Sequence, residues 1–271
     1  MPDQVIKTTA LEDPKDLYSQ ACQLARSMQD SDLQILKARL TDRAFLAKLD
    51  SAEAYEGQAI RLRVAGVLQI ISENPSPSAQ KVLLLLTTSP AFLEHRSRVD
   101  LLIQALVQIR PAPQQAVVFW DQHFQPEDGY SGVTVWALLD NGSAPAIALF
   151  EKKMLDIRFP ETERQYWLTA CVLQHRNDLP LLQACERLLA SRLEEPYRLL
   201  LVDVLFDYKP DDWYGAGHWY KPPPRAKAAK EALEQLRVVG QTLESQPLSR
   251  IQQEKVRLVM QELDALLGRG K

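Results

Sequence analysis

Apolar residues recur along this chain with the period of an α-helix. Ile60, Val64, Val67, Leu68 and Ile71 are spaced at i, i+4, i+7, i+8 and i+11. This spacing places them on one side of a helix, whereas a strand would show strict alternation of apolar and polar residues. No convincing run of strict alternation occurs in the sequence. The pattern therefore predicts an all-α protein.

Prolines divide the chain at regular intervals and mark predicted helix starts. Pro77, Pro113, Pro145 and Pro180 follow turn-forming stretches, and each precedes an apolar segment with helical spacing. Proline is tolerated in the first turn of a helix because its missing N–H would have no intrahelical partner there. The intervals between these prolines are 36, 32 and 35 residues, close to the length of one helix–turn–helix repeat.

A second helix start falls inside each interval. The predicted starts lie at Ser97, just after Pro126, at Pro160 and at Glu194–Pro196. Acidic residues beside several of them complement the positive end of the helix dipole. Each interval is then an antiparallel helix pair whose apolar faces are too wide to be buried within one pair. Stacking of successive pairs would bury these faces in a continuous core.

We expect a single helical-repeat domain over residues 1–271. Its predicted parts are a frayed N-terminus (1–12), N-terminal capping helices (13–72), stacked helix pairs (73–208), an aromatic and proline-rich loop (209–225) and a C-terminal helical hairpin (226–271). The capping helices are placed at roughly 14–28, 31–49 and 52–72, and the hairpin helices at about 224–244 and 248–267.

The proline-led helices, their spacing and segments such as IRLRVAGVLQII (60–71) resemble the HEAT and armadillo-like helical repeat superfamily. The resemblance covers residues 50–267 and implies an α-solenoid, a right-handed superhelix of about five to seven stacked antiparallel helix pairs. A tetratricopeptide array has a similar period, but its Trp, Leu-Gly and Tyr positions do not recur here. Such folds carry many unrelated functions, so the resemblance predicts architecture and not activity.

The charge balance and the cysteines limit the candidate cellular compartments and the candidate classes of partner. The net charge is −3, although residues 221–271 carry ten Lys/Arg against six Asp/Glu. This overall balance argues against a nucleic-acid partner. Three cysteines without close spacing suit a reducing compartment, and no apolar run approaches the ~20 residues that span a bilayer. We expect a cytoplasmic protein that does not enter a membrane.

The segment KPDDWYGAGHWYKPPPR, residues 209–225, interrupts the repeat and is the predicted partner-binding loop. Aromatic side chains on a loop supply a large contact area at low entropic cost, as binding hot spots require. The predicted contact residues are Trp213, Tyr214, His218, Trp219, Tyr220, Lys221 and Arg225. In the alternative interpretation Trp213 and Trp219 fold back and fill the space between two helix pairs, because an exposed Trp is costly.

Motifs of catalysis and metal binding are missing from the sequence. HExxH, CxxC, GxGxxG, a P-loop and GxSxG do not occur. Asp211, Asp212 and His218 lack a second histidine, so we expect no metal or cofactor. Cys171 and Cys185 lie in apolar helical segments and are expected to pack as small apolar residues. For His123 and His175 we expect structural roles, since a cation is favoured near a helix C-terminus.

Two aromatic patterns were weighed against nucleic-acid chemistry. FWDQHF (119–124) is similar to part of a Trp–Asp stretch of alkylpurine DNA glycosylases, but Phe124 stands where that family has its carboxylate. Trp136 and Asp140 have the required spacing, yet Asp140 adjoins an Asn-Gly turn. A ladder through Trp120, Trp136 and Trp167 would suit base stacking, but the spacing of Trp120 and Phe124 is typical of core residues.

The sequence thus predicts a non-catalytic protein–protein interaction scaffold or adaptor whose partner is another protein. One alternative is a ligand-binding or enzymatic solenoid with a pocket on its concave face. The other is a nucleic-acid binder that aligns basic side chains on one face. The residues for that face are Lys37, Arg39, Arg43, Arg61 and Arg63, or else the basic C-terminal hairpin.

Overall fold

The computed structural model describes residues 23–50, 64, 66–175, 178–191, 193–206 and 230–269. Every regular element within these ranges is helical, and they contain no β-strand. The prediction of an all-α protein is confirmed. The chain divides into two compact units, residues 1–137 and 138–271.

The first unit is built from short helices joined by tight turns. They are α1 (Asp30–Thr41), α2 (Arg43–Asp50), α3 (Pro77–Leu86), α4 (Pro90–Leu93), α5 (Arg96–Ala105), α6 (Gln114–Gln122) and most of α7 (Ser131–Asn141). Helix α1 packs on α3, and α2 packs on α4. Gln115 of α6 donates to the Leu84 carbonyl of α3 at 2.9 Å. The buried indole of Trp120 donates to the Ile103 carbonyl of α5 at 3.2 Å, so α6 is fixed to both earlier helices.

The second unit arranges its helices in two rows. Its elements are α8 (Ala144–Met154), α9 (Glu161–Tyr166), a π-helical segment (Trp167–Val172), α10 (Leu173–His175), α11 (Leu179–Ala190), α12 (Glu195–Phe206), α13 (Lys230–Glu244) and α14 (Arg250–Leu266). In one row α8 contacts α11 and α11 contacts α13. In the other row α9 and the π-helical segment contact α12, and α12 contacts α14. If α9, the π-helical segment and α10 are counted as one continuous helix, each row brings together helices that are two apart in the chain.

The four prolines mark helix starts as predicted. Pro77 is the first residue of α3, where the Ser76 hydroxyl accepts from the Ala79 N–H. Pro113 is the N-cap of α6, while Pro145 and Pro180 are the second residues of α8 and α11. The second-helix starts near residues 97, 126, 160 and 195 appear as α5, α7, α9 and α12.

Two details differ from the predicted elements. The helix expected at 31–49 is interrupted at Asp42, whose carboxylate accepts from the Ala44 N–H at 2.9 Å. This local hydrogen bond competes with the continuing helical ladder and starts α2 instead. The short helix α4 was not expected, although Ser89 and Pro90 repeat the start signal seen at Ser76 and Pro77. The helices expected at 14–28 and 52–72 lie partly outside the described residues.

Candidate functional site: a groove beside a π-helical turn

A groove runs between the two neighbouring helical elements α9 and α12 in the second unit. Its volume is about 570 Å³, and it is open to solvent. One wall presents Thr162, Gln165, Tyr166 and Thr169, and the other presents Pro196, Leu199, Leu200 and Asp203. Both sets follow the spacing i, i+3, i+4 and i+7, so each wall is a single helix face about two turns long.

The first wall changes its helical geometry along the groove. Glu161–Tyr166 is α-helical, and Trp167–Val172 forms a π-helix before α10 resumes the α-helical pattern. The Thr169 hydroxyl donates to the Gln165 carbonyl at 2.9 Å, which gives this carbonyl a side-chain donor within the widened turn. Trp167, Leu168 and Cys171 are fully buried on the far side of the segment. Such π-helical turns are rare and occur frequently at functional sites.

A buried arginine holds the two walls together. The guanidinium of Arg164 forms an ion pair with Glu194 at 3.3 Å, just before α12. It also lies 4.3 Å from the ring centroid of Tyr197, the third residue of α12. Burial raises the pKa of the Tyr197 hydroxyl, and the neighbouring Arg164 opposes that rise. Because Arg164 is almost fully buried, it fixes the start of α9 against the start of α12 and sets the spacing of the groove.

The open side of α12 continues onto α14. Asp203 at the edge of the groove accepts from the Lys255 ammonium at 3.2 Å. The Gln252 side chain, buried in α14, donates to the Leu199 carbonyl at 3.4 Å. The α12 wall of the groove is thus apolar, with leucine and proline, and ends in the paired carboxylate of Asp203. The opposite wall carries tyrosine, threonine and glutamine. This mixture is typical of surfaces that orient an amphipathic ligand rather than of a catalytic centre.

The second cluster of interest surrounds His175 at the end of α10. Its Nε2 lies 3.1 Å from Asp140 Oδ1, and its Nδ1 lies 2.8 Å from Asp178 Oδ2. Burial lowers the pKa of this imidazole, but the two hydrogen bonds and the two carboxylate charges outweigh it and raise the pKa to about 9. Asp178 is the N-cap of α11, yet its carboxylate bonds to His175 and not to the helix N-terminus. His175 therefore fastens the end of α7 to the start of α11.

A cysteine–histidine catalytic pair is not formed here. Cys171 stands four residues before His175 on the same helical run, but burial raises the pKa of its thiol far above the usual range. A nucleophilic cysteine requires a lowered pKa. The imidazolium of His175 donates both N–H groups to carboxylates, so neither ring nitrogen can accept a proton as a general base. This geometry argues against nucleophilic catalysis at the cluster.

Some of the predicted site residues lie within the described ranges of the structure, and others do not. The loop residues Trp213, Tyr214, His218, Trp219, Tyr220, Lys221 and Arg225 lie outside the described residues, as do Asp211, Asp212, Arg61 and Arg63. Trp120 and Trp167, members of the alternative aromatic ladder, are fully buried, which supports the core interpretation. Asp140, weighed for its spacing from Trp136, pairs with His175.

Among the basic residues considered for nucleic acid, Arg43 forms an ion pair with Glu94 at 2.8 Å. Cys171 and Cys185 are buried in the core, as expected.

Sequence reasoning missed the groove. Tyr166, Leu199 and Leu200 look like ordinary members of two apolar helical stripes in the sequence. The available signal was the repeated i, i+3, i+4, i+7 spacing of small, polar and apolar residues on both helices. Its meaning depends on which faces remain open after packing, and no local pattern contains that information.

Within the described ranges, no group of three His, Cys, Asp or Glu side chains is arranged to hold a metal ion. None of the helices described is both long enough and apolar enough to cross a membrane. No known family model matches the chain, and comparisons with curated proteins and with solved structures likewise found no match.

Proposed function

We propose that this protein is a non-catalytic, HEAT-like α-solenoid that acts as a protein–protein interaction scaffold in the cytoplasm. The groove between α9 and α12 receives a helical segment of the partner. The observation that carries the proposal is the pair of helix faces lining an open groove, each with apolar and polar residues at i, i+3, i+4 and i+7. Two helix faces of this kind suit a third amphipathic helix, which docks through anchors at the same spacing.

The arrangement of helices supports the solenoid part of the proposal. Helices that are two apart in the chain contact each other in both rows of the second unit, as stacked helix pairs do. Proline-led first helices and the recurrence near 35 residues point to the same architecture. The buried free thiols of Cys171 and Cys185 suit the reducing cytoplasm.

The chemistry of the groove favours a peptide over a small substrate. Tyr166 is 46% exposed and offers an aromatic ring with a hydroxyl at the rim. Tyrosine at such a position is enriched among residues that dominate binding energy. The groove is open to solvent, whereas small-molecule sites enclose most of the ligand. The aromatic loop 209–225 follows α12 in the chain, and we propose that its aromatic and cationic residues add contacts to the same partner.

Site-specific photo-crosslinking in the native cell tests this function. A photoreactive amino acid replaces Tyr166 in one version of the protein and Ile35 in a control. Ile35 is 44% exposed but lies in the first unit, so the two probes are matched in exposure and differ in location. We expect one partner protein to be crosslinked from position 166 and not from position 35, with the crosslinked peptide mapping to an amphipathic helix.

The affinity of the protein for a synthetic peptide of that partner helix is then measured by fluorescence anisotropy. Leu200→Glu places a charge on the apolar α12 wall of the groove. It is expected to weaken peptide binding at least about tenfold, which corresponds to about 1.4 kcal/mol. Ile35→Glu is expected to leave the affinity unchanged. Equal binding by wild type and Leu200→Glu would exclude the groove as the docking site. If no protein is crosslinked and a small metabolite raises the melting temperature instead, the scaffold function is wrong.

A further inference from the structure

Helix α14 carries exposed apolar side chains on a face that is not covered by the described residues of its unit. Ile251 is 73% exposed, Leu258 51% and Leu266 62%. At 100° per residue these three positions fall within about 80° of one another around the helix axis. They form one outward stripe, which we call the α14 stripe. Single exposed apolar residues are common on proteins, but three aligned on one helix indicate an interaction surface.

The α14 stripe is distinct from the face that holds α14 in place. Val256, Val259 and Leu263 are buried, and they are centred about 100° from the stripe. Met260 on the buried side packs beside Gly240 of α13. These buried residues anchor α14, and the stripe lies on a more exposed side of the same helix.

Two charged residues lie within the stripe and are placed symmetrically. Lys255 and Glu262 are seven residues apart, about 10 Å along the helix. The midpoint between them falls between residues 258 and 259, and the midpoint between Ile251 and Leu266 is the same. A two-fold axis through this midpoint would set each Lys255 opposite Glu262 of the other helix, and each Ile251 opposite Leu266. An antiparallel pair of identical helices thus matches its own charges and its own apolar residues.

We propose that the α14 stripe is a self-association surface, on which a second copy of this chain docks its own α14 in antiparallel orientation. A parallel pair is disfavoured because it would set Lys255 against Lys255 and Glu262 against Glu262. This inference does not rest on the function proposed for the groove between α9 and α12, although Lys255 also pairs with Asp203 at the edge of that groove.

The contacts of Lys255 within its own chain are compatible with this dimer. Its ammonium lies 3.2 Å from Asp203 Oδ1. An ammonium has three N–H donors, so it can keep Asp203 and also donate to a carboxylate of the second copy. Glu262 is exposed on the surface of α14 and can accept that bond without rearrangement of the buried face.

Three apolar residues and two ion pairs make a small interface, so the dimer is weak and concentration-dependent. Stable dimers bury about 800 Å² per partner, more than one helix stripe supplies. Rim charges act mainly on orientation and specificity rather than on affinity. We therefore expect association to become visible only at high protein concentration.

Analytical ultracentrifugation of the full chain tests the proposal with charge-reversal variants. Wild type is expected to show a mass that rises from 30.8 kDa toward twice that value as the concentration is raised to about 100 µM, a range in which weak dimers form. Lys255→Glu and Glu262→Lys are each expected to remain monomeric, because each opposes like charges. An equimolar mixture of these two variants restores both ion pairs and is expected to associate again.

Leu258→Glu provides a second measurement, since it sets two carboxylates together at the two-fold axis. It is expected to abolish association, whereas Gln253→Glu adds the same charge on another face of α14 and is expected to associate like wild type. Circular dichroism and thermal melting confirm that the variants are folded. A wild type that stays monomeric throughout overturns the proposal and leaves the stripe to another partner. Undiminished association of Leu258→Glu, or a mixture that stays monomeric, also overturns it.

Discussion

Among single residues, His175 shows how a histidine at the end of a helix becomes a charged group that joins two other helices through ion pairs. Its position near a helix C-terminus favours a cation, as the sequence predicts. The decisive partners, Asp140 and Asp178, come from the ends of two other helices. Asp178 is three residues away and can be anticipated locally, whereas Asp140 is brought to the ring by tertiary packing.

The pH dependence of stability follows from the raised pKa of His175. The folded-state pKa of about 9 exceeds the unfolded value of about 6.5. The stabilisation is therefore complete below about pH 6.5 and is lost as the pH rises toward 9. Because both carboxylates are half-exposed, we expect a contribution of about 1–2 kcal/mol, below what the full shift implies. Urea unfolding of wild type and His175→Gln, from about pH 6 to pH 9.5, should show their difference narrowing by this amount.

A substitution of the carboxylate Asp140 distinguishes the effect of the ion pairs from the effect of removing the histidine ring. Asp140→Asn removes one charge and should lower the pKa of His175, which NMR titration of the ring protons measures directly. A pKa of His175 that stays near 6.5 in wild type would contradict the assignment, as would a difference between wild type and His175→Gln that does not change with pH.

Arg164 is expected to resist even a conservative substitution. Arg164→Lys keeps the charge but loses the planar group that both pairs with Glu194 and stacks on Tyr197. Because the site is buried, we expect the free energy of unfolding to fall by about 1–2 kcal/mol. Thermal melting compares it with Arg257→Lys, in which an exposed arginine paired with Glu254 is replaced. The control should melt like wild type; an equal loss in both variants would refute a special role of Arg164.

At the scale of elements, helix starts were predictable and helix geometry was not. Prolines and capping residues act within three or four positions, so Pro77, Pro113, Pro145 and Pro180 marked helix starts in the sequence. No comparable local sequence signal marks the π-helix at Trp167–Val172. Its wider turn rotates the helix face that carries Thr169. The groove depends on that face and on Arg164, so the sequence predicted its two helices but not the site between them.

The contact between α13 and α14 depends on Gly240, an isolated glycine within a helical sequence pattern. A side chain at Gly240 would meet the Met260 sulfur, so Gly240→Val requires the Met260 side chain to move from its packed position. We expect a loss of about 2 kcal/mol in the free energy of unfolding, typical of overpacking. Gln241→Val, one residue later on the exposed side, measures the penalty of a β-branched residue alone. Chemical denaturation should show a much smaller loss for Gln241→Val; similar losses would indicate that the packing of Gly240 is unimportant.

For the whole molecule, the class of fold follows from composition and periodicity, while the binding surface does not. Apolar residues at helical spacing predicted an all-α protein because burial of such stripes is the main driving force of folding. Every helix has one stripe of this kind, and only the assembled core determines which side chains stay outside. Tyr166 and Leu258 are exposed in the structure, whereas Trp120 and Trp167, equally aromatic or apolar in the sequence, are completely buried.

The two described cysteines report on the opening of the second unit as a whole. Both are buried, and burial raises the pKa of Cys185 to about 12 and that of Cys171 even further. We expect alkylation at pH 8 to be at least about 1000-fold slower than for an exposed cysteine. Mass spectrometry of the labelled peptides should show both rates rising together with urea, because both require cooperative opening. Rapid labelling of either cysteine in the native protein would show that its part of the unit opens independently.

The two rows of the second unit also have a consequence for how the chain reaches its structure. Contacts such as α8 with α11, or α12 with α14, join helices that are separated by 24 and 43 residues of chain. The entropy lost on closing a loop grows only slowly with its length, so the longer closure costs only slightly more chain entropy than the shorter one. In the solenoid proposed above, each helix pair contacts only its neighbours, so this unit, pulled from its ends, should lengthen in a series of small steps, one helix pair at a time, rather than in one abrupt rupture.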